Sequence, residues 1–269
     1  MQLVSLAPSN TEILYALGLG DQIVGITGFC DYPADAKRKP KVGGWTTPLP
    51  EKIRTLRPDL IFTCYFLPPE LRDWKGPGKI IHVAPKTLHG VYLSIMTIAV
   101  ATNTEKKGKE IVKKMKQEFA QIRKNRITLS LEGRGKGEDS NKAIKQFNNR
   151  SPRVYMEEWL KPPMVSGNWV PELVEIAGGI EQIAEKGKPS REFDFKELQD
   201  FDPDLMIFHW CGFGKRFYKK NVIERSGWSQ LRAVKNDRLF PIDDALLNRP
   251  GPRLLEGAKQ IQEILINLV

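Results

Sequence analysis

The sequence is short of most residues from which enzymes and metal proteins build their chemistry. It has three cysteines, Cys30, Cys64 and Cys211, and no C-x-x-C pair, so neither a disulfide framework nor a zinc ribbon is indicated. Its three histidines, His82, His89 and His209, occur without a His-Glu-x-x-His motif. There is no Gly-x-Ser-x-Gly elbow, and "GRGKGEDS" at 133–140 lacks the Gly-Lys-Ser/Thr of a phosphate loop. No apolar run is long enough to cross a bilayer. The expectation is a protein with no catalytic set, no required cofactor and no membrane span.

Acidic residues are also in deficit, with 32 Asp+Glu against 42 Lys+Arg and a net charge of +10. Most of the excess lies in residues 104–150, which hold 14 Lys+Arg and 6 Asp+Glu. Only Phe119 and Phe147 are aromatic there, too few for stacking on bases. A solvated helix followed by a flexible insert is expected, and no nucleic-acid partner. The chain enters a strand pattern at once, "MQLVSLAPSN", with no apolar core of an export signal. As written it is expected in the cytoplasm, and in the periplasm or outside the cell where a leader has been removed.

What is present is a repeat. "EKIRTLRPDLIF" at 51–62 returns as "KELQDFDPDLMIF" at 196–208. Each copy runs from a helical pattern through Pro-Asp-Leu into a short apolar run, the mark of a buried parallel strand. Upstream, "NTEILYALGLG" at 10–20 matches "VPELVEIAGG" at 170–179, each a helix with a glycine stop. Thr11-Glu12 and Pro171-Glu172 are expected in the first helical turns. Two blocks matching in the same order predict two similar α/β lobes.

The pattern divides into an N-terminal lobe over 1–103, a connecting helix over 104–126, a mobile basic insert over 131–151 and a C-terminal lobe over 152–269. The connecting helix carries Ile111, Val112, Met115, Phe119 and Ile122 on one stripe and would span roughly 34 Å. His82, inside "KIIHVAP", is expected in the core.

In parallel sheets ligands collect beyond the carboxyl ends of the strands. Those ends carry Ser9 and Asn10, then Cys30, Tyr32 and Trp45, then Glu157, Glu158, Trp159, Asn168 and Trp169, then His209, Trp210 and Cys211, and last Arg249 and Arg253. Four of six tryptophans fall at these ends, which predicts a large, flat or apolar ligand in a cleft between the lobes. His209 and Cys211 share a strand face and are weak candidates for a soft metal. Glu157 or Glu158 would be the acid or base of an intracellular enzyme on the same scaffold.

"SLAPSNTEILYALGLGDQIVGIT", "CDYP", "GGW", "EKIRTLRPDLIF" and "NRPGPRLLEGAKQI" together resemble the cobalamin-type, helical-backbone (class III) solute-binding proteins of ABC importers. "EEWLKPPMVSGNWVPELVEIAGG" and "CGF" resemble a branch of that family that often lacks an export signal. The resemblance implies two α/β lobes joined by one long backbone helix, and cobalamin or a related corrinoid as ligand. It places the stacking tryptophan at Trp45, with Ser9, Asn10 and Tyr32 facing the cleft. Glu157, Trp159, Asn168, Trp169 and Cys211 would line the second lobe's side. Metal, haem and siderophore receptors are neighbouring branches and the alternative reading. Importing members dock on a permease through a glutamate on each lobe. The matching positions here are Glu51 and Lys196, and the lysine speaks against docking. A monomer is expected.

Overall fold

The computed structural model describes residues 1–132 and 151–268. The chain divides into two units, Met1–Lys114 with Pro250–Pro252, and Met115–Arg249 with Arg253–Val269. Of the insert expected at 131–151, residues 133–150 lie outside the described part.

The first unit is built on a parallel sheet of order β2-β1-β3-β4, with β1 Leu3–Ser5, β2 Ile23–Ile26, β3 Leu60–Cys64 and β4 Lys79–Val83. Helices α1 (Pro8–Ala16), α2 (Pro50–Thr55), α3 (Pro69–Arg72) and α4 (Leu88–Ala101) connect or follow the strands. Val4, Leu6, Val42, Ile53, Ile61 and Leu71 form a core cluster in this unit. α1 opens on Pro8, three residues before the expected start, because proline is well suited to a first helical position. Glu12 therefore falls in the second turn. His82 is exposed on the edge strand β4 rather than in the core, with Nδ1 2.8 Å from the Thr63 hydroxyl.

Helix α5 spans Glu105–Glu132. Met115, Phe119 and Ile122 are buried on its apolar stripe, whereas Lys116 between them is exposed.

The second unit repeats the plan in a sheet of order β6-β5-β7-β8, with β5 Val154–Leu160, β6 Pro163–Val165, β7 Leu205–Phe208 and β8 Leu239–Pro241. β5, β7 and β8 are parallel, and the short β6 is antiparallel to β5. Its helices are α6 (Val170–Ala177), α7 (Phe195–Phe201), the single turns α8 (Lys220–Ile223) and α9 (Arg232–Lys235), and α10 (Leu254–Asn267). The core here is aromatic, with Tyr155, Phe208, Trp210 and Trp228 buried together.

The Pro-Asp-Leu repeat has the same mechanics in both units. The residue before the proline turns left-handed, Arg57 at φ 44° and Asp202 at φ 43°. The proline ends the helix. The aspartate then clasps the start of the neighbouring central strand. Asp59 Oδ2 accepts the Gln2 N–H at 2.6 Å, and Asp204 Oδ2 accepts the Arg153 N–H at 2.7 Å. In return the Asp59 N–H donates to Gln2 and the Asp204 N–H to Arg153, each at 2.8 Å. Leu60 and Leu205 follow as the first residues of β3 and β7. The two segments share a wording because each must stop a helix, set a strand register and start a strand within three residues.

Candidate functional site

At the carboxyl ends of the first unit's strands stands a group of open aromatics. Phe29 is 64% exposed, Tyr32 43%, Trp45 38% and Tyr65 36%. Trp45 is held rather than loose. Its indole N–H donates to the Cys64 carbonyl at 3.1 Å, and its ring meets Phe66 edge-on, with centroids 6.4 Å apart. The loop is stapled by the Gly28 N–H to the Gly43 carbonyl at 3.0 Å. Gly43 sits at φ 110°, where a Cβ would meet the Thr47 carbonyl oxygen at 2.6 Å, so only glycine suits the turn that presents the tryptophan. That staple brings Phe29 beside Gly44 and hence onto the same rim. The sequence reading missed Phe29 and Tyr65. The signal for Phe29 was its place next to Cys30 in a strand-end loop, where one side chain turns in and its neighbour turns out.

Below the aromatics lies a buried polar layer. The Thr11 hydroxyl is 2.7 Å from Ser5 Oγ and 3.0 Å from Cys30 Sγ, and Thr27 Oγ1 is 3.2 Å from the same sulfur. Cys30 is buried, which pushes its thiol pKa upward. Cys64, hydrogen-bonded to Ser9, is pushed up by burial to about 11. Neither is a thiolate at neutral pH. Asn10 is fully buried, and neither Oδ1 nor Nδ2 of its carboxamide has a hydrogen-bond partner. An amide in that state costs about 1–3 kcal/mol, which a polar guest would relieve.

The second unit is arranged differently. Glu157 is fully buried with both oxygens engaged: Tyr155 hydroxyl at 2.7 Å, Trp210 indole at 2.8 Å, and the Arg225 guanidinium at 2.6 and 2.8 Å. Burial raises its pKa against the pull of Arg225. Both oxygens of this carboxylate are thus held by partners within its own unit. Trp210 is in the core, and Trp169 is 2% exposed with its indole donating to the Leu247 carbonyl at 2.8 Å. Of the four strand-end tryptophans, Trp45 and Trp159 alone are open, the latter 44% exposed at the end of β5. Asn168 is half-buried in a left-handed turn at φ 53°, its N–H on the Lys188 carbonyl.

His209 is buried between Ser166 Oγ, 2.6 Å from Nε2, and Asn248 Oδ1, 2.5 Å from Nδ1. Burial holds its pKa low, so the ring is neutral, and both nitrogens are in use. Among the described residues no group of three or more His, Cys, Asp or Glu is placed to hold a metal. Cys211 is exposed on the same rim, its thiol pKa raised by partial burial and by the carboxylates of Asp244 and Glu158. Glu158 accepts from Ser190, and Arg249 and Arg253 are half-buried on either side of Pro250–Pro252.

These features define a substrate-binding scaffold, and the chain belongs to the family described as Periplasmic binding protein, which matches residues 3–127 and 136–246. It is 30% identical over 268 residues to the uncharacterized ABC transporter substrate-binding lipoprotein YvrC of Bacillus subtilis, covering 97% of this chain and 79% of that one. It is 26% identical to the vitamin B12-binding protein of Vibrio cholerae, covering 97% and 87%. The crystal structure of periplasmic vitamin B12 binding protein BtuF of Vibrio cholerae shares the fold with a TM-score of 0.72 at 24% identity, over 99% of this chain and 97% of that one. The periplasmic heme-binding protein RhuT from Roseiflexus shares it with a TM-score of 0.77 at 22% identity, over 99% and 98%.

Proposed function

We propose that this chain is a non-enzymatic binding protein for cobalamin or a related corrinoid, with Trp45 stacked on the macrocycle. The observation that carries the reading is the cluster of open aromatics around an indole whose N–H is already fixed. A broad, flat ligand with an apolar face suits such a platform. Near full-length likeness to vitamin B12-binding proteins supports the choice of macrocycle. In the first unit Tyr32 would be a further wall, and Ser9 and Asn10 would offer polar contacts to the ligand's amide groups.

Haem is the second reading, because haem-binding proteins share the fold. Haem needs an axial donor, and His209 would have to release Ser166 or Asn248 to supply one. Titration of the purified chain with hydroxocobalamin, followed by tryptophan fluorescence and visible absorbance, tests both readings when haemin is run beside it. Saturable one-to-one binding of hydroxocobalamin is expected. Saturation by haemin alone would hand the site to the second reading.

Membership of this family implies a permease partner. Glu51 on α2 is exposed and suited to meet an arginine. Lys196 on α7 is also exposed and has the opposite sign. Its neighbour Glu197 cannot replace it, since that carboxylate caps the Asp194 N–H at 3.0 Å and pairs with Arg191 at 2.6 Å. We infer that docking relies on the first unit. Among the described residues no helix is long and apolar enough to cross a membrane, and the chain is proposed to act as a monomer at the surface of the permease's membrane.

A further inference from the structure

Tyr65 stands out for its backbone rather than its ring. Six non-glycine residues among those described have a positive φ, and four of them are Asn or Asp, the types that adopt it most readily. Arg57 is another, at the helix stop before Pro58. Tyr65, at φ 60°, comes directly after β3. A bulky aromatic in that region stores strain, which persists only where the surroundings fix it. Here they do. The Tyr65 N–H donates to the Val83 carbonyl at 2.9 Å and its hydroxyl to the Pro85 carbonyl, so backbone and side chain are both tied to the segment leaving β4.

The Phe66 N–H donates to the Cys64 carbonyl at 2.7 Å, which closes a three-residue γ-turn with Tyr65 at its centre. The same carbonyl accepts the Trp45 indole N–H at 3.1 Å, and the Trp45 ring meets Phe66 edge-on. Both contacts that hold Trp45 therefore come from this turn. The repeat supplies a control. Aligning Leu60 with Leu205 puts Tyr65 level with Trp210, which is not left-handed. There the chain runs on beside β5, with the Cys211 N–H on the Glu158 carbonyl at 2.9 Å, and the ring is buried. We infer that Tyr65 is a positioning residue: the strained turn that it centres aims the Cys64 carbonyl and so fixes the Trp45 ring before a ligand arrives. A ring fixed in advance loses less freedom on binding, and affinity gains accordingly. This deepens the function proposed above and rests on that reading for its effect on affinity, though not for its effect on the indole.

Tyr65→Gly and Tyr65→Ala remove the same ring and hydroxyl but differ in backbone: glycine accepts a positive φ freely and alanine does not. Each change is made in the full chain. The Trp45 indole N–H is followed by NMR, its signal assigned by its loss in Trp45→Phe. Without ligand, Tyr65→Gly should keep the slow indole hydrogen exchange of wild type, and Tyr65→Ala should exchange at least about tenfold faster. Hydroxocobalamin should bind Tyr65→Gly at least about fivefold more tightly than Tyr65→Ala, although both lack the ring. Tyr65→Phe, which removes the hydroxyl alone, should exchange faster than wild type. Equal indole exchange in Tyr65→Gly and Tyr65→Ala would overturn the inference. Unequal exchange with equal affinity would overturn its role in binding. Thermal melts show whether each variant folds, and if Tyr65→Ala does not, Tyr65→Phe against wild type carries the same test. A wild type that keeps its slow indole exchange but does not bind hydroxocobalamin would remove the ligand reading, while the contrast in exchange would still decide the turn.

Discussion

The rims of the two units are built from similar residues and put them to opposite uses. In the first, Phe29, Tyr32, Trp45 and Tyr65 stand open over a layer of small buried polar groups. In the second, Trp169 and Trp210 are drawn inward by a carbonyl and by Glu157, and Arg225 closes over that carboxylate, 4.3 Å above the Trp228 ring. An aromatic at a strand end therefore stays open only where the bond to its polar atom leaves its face uncovered, as the Cys64 carbonyl does for Trp45. The first unit has an open surface to offer; the second spends most of its rim on its own stability.

The strongest way to break this comparison is Arg225→Ala. If the second rim is structural, removal of the guanidinium leaves Glu157 buried and uncompensated, at a cost of about 3–5 kcal/mol in urea unfolding. Hydroxocobalamin affinity of the fraction that remains folded should change little. A large loss of affinity with unchanged stability would make Arg225 a ligand contact and erase the distinction.

Next in size is a pH effect confined to the second unit. Glu181 is 6% exposed, and burial raises its pKa from 4.5 to about 7, although it accepts N–H groups from Ile183 and Ala184. A carboxyl whose folded pKa exceeds its unfolded value keeps its proton longer in the fold. Its contribution to stability is fully present below about pH 4.5 and is lost as pH rises through about 7, on the order of 3 kcal/mol. Glu181→Gln should flatten that decline in denaturation midpoints measured between about pH 4.5 and 8. An unchanged slope would show that the group does not titrate in this range.

Trp45→Ala sharpens the comparison from the other side. It should weaken hydroxocobalamin by about 2 kcal/mol or more, roughly thirtyfold, with little change in unfolding midpoint, because the ring is already half open. Unchanged affinity would remove Trp45 from the site.

Much of the fold was legible because its instructions are local. The two Pro-Asp-Leu segments each carry a helix stop, a strand clasp and the first residue of a strand within three positions, and α5 shows its apolar stripe in its spacing. The short antiparallel β6, opened by Pro163, has too few residues to show a period. The site was legible only in part, since nearness to a strand end can be read locally but the direction of a side chain cannot. Trp169 is claimed by a carbonyl 78 residues away, and Trp210 by a carboxylate 53 residues away. His209 is likewise held by Ser166 and Asn248, from segments 43 and 39 residues distant. Glu157 and His209 looked chemical in the sequence because buried polar residues and working ones are written with the same letters.

The smallest expected effect bears on the residue that the sequence did not single out. Phe29 is the most exposed large apolar side chain among the described residues, on the loop stapled to the glycines before Trp45. If the first rim is a platform rather than a single stacking ring, Phe29→Ala should weaken hydroxocobalamin by about 1 kcal/mol, roughly fivefold. The double variant with Trp45→Ala should then lose less than the sum of the single losses, because neighbouring walls of one ligand face couple. Strict additivity would make Phe29 an independent contact, and no loss at all would reduce the platform to Trp45, Tyr32 and Tyr65. Either result changes how the rim grips its ligand, while leaving the second unit's closed rim as the reference against which that grip is measured.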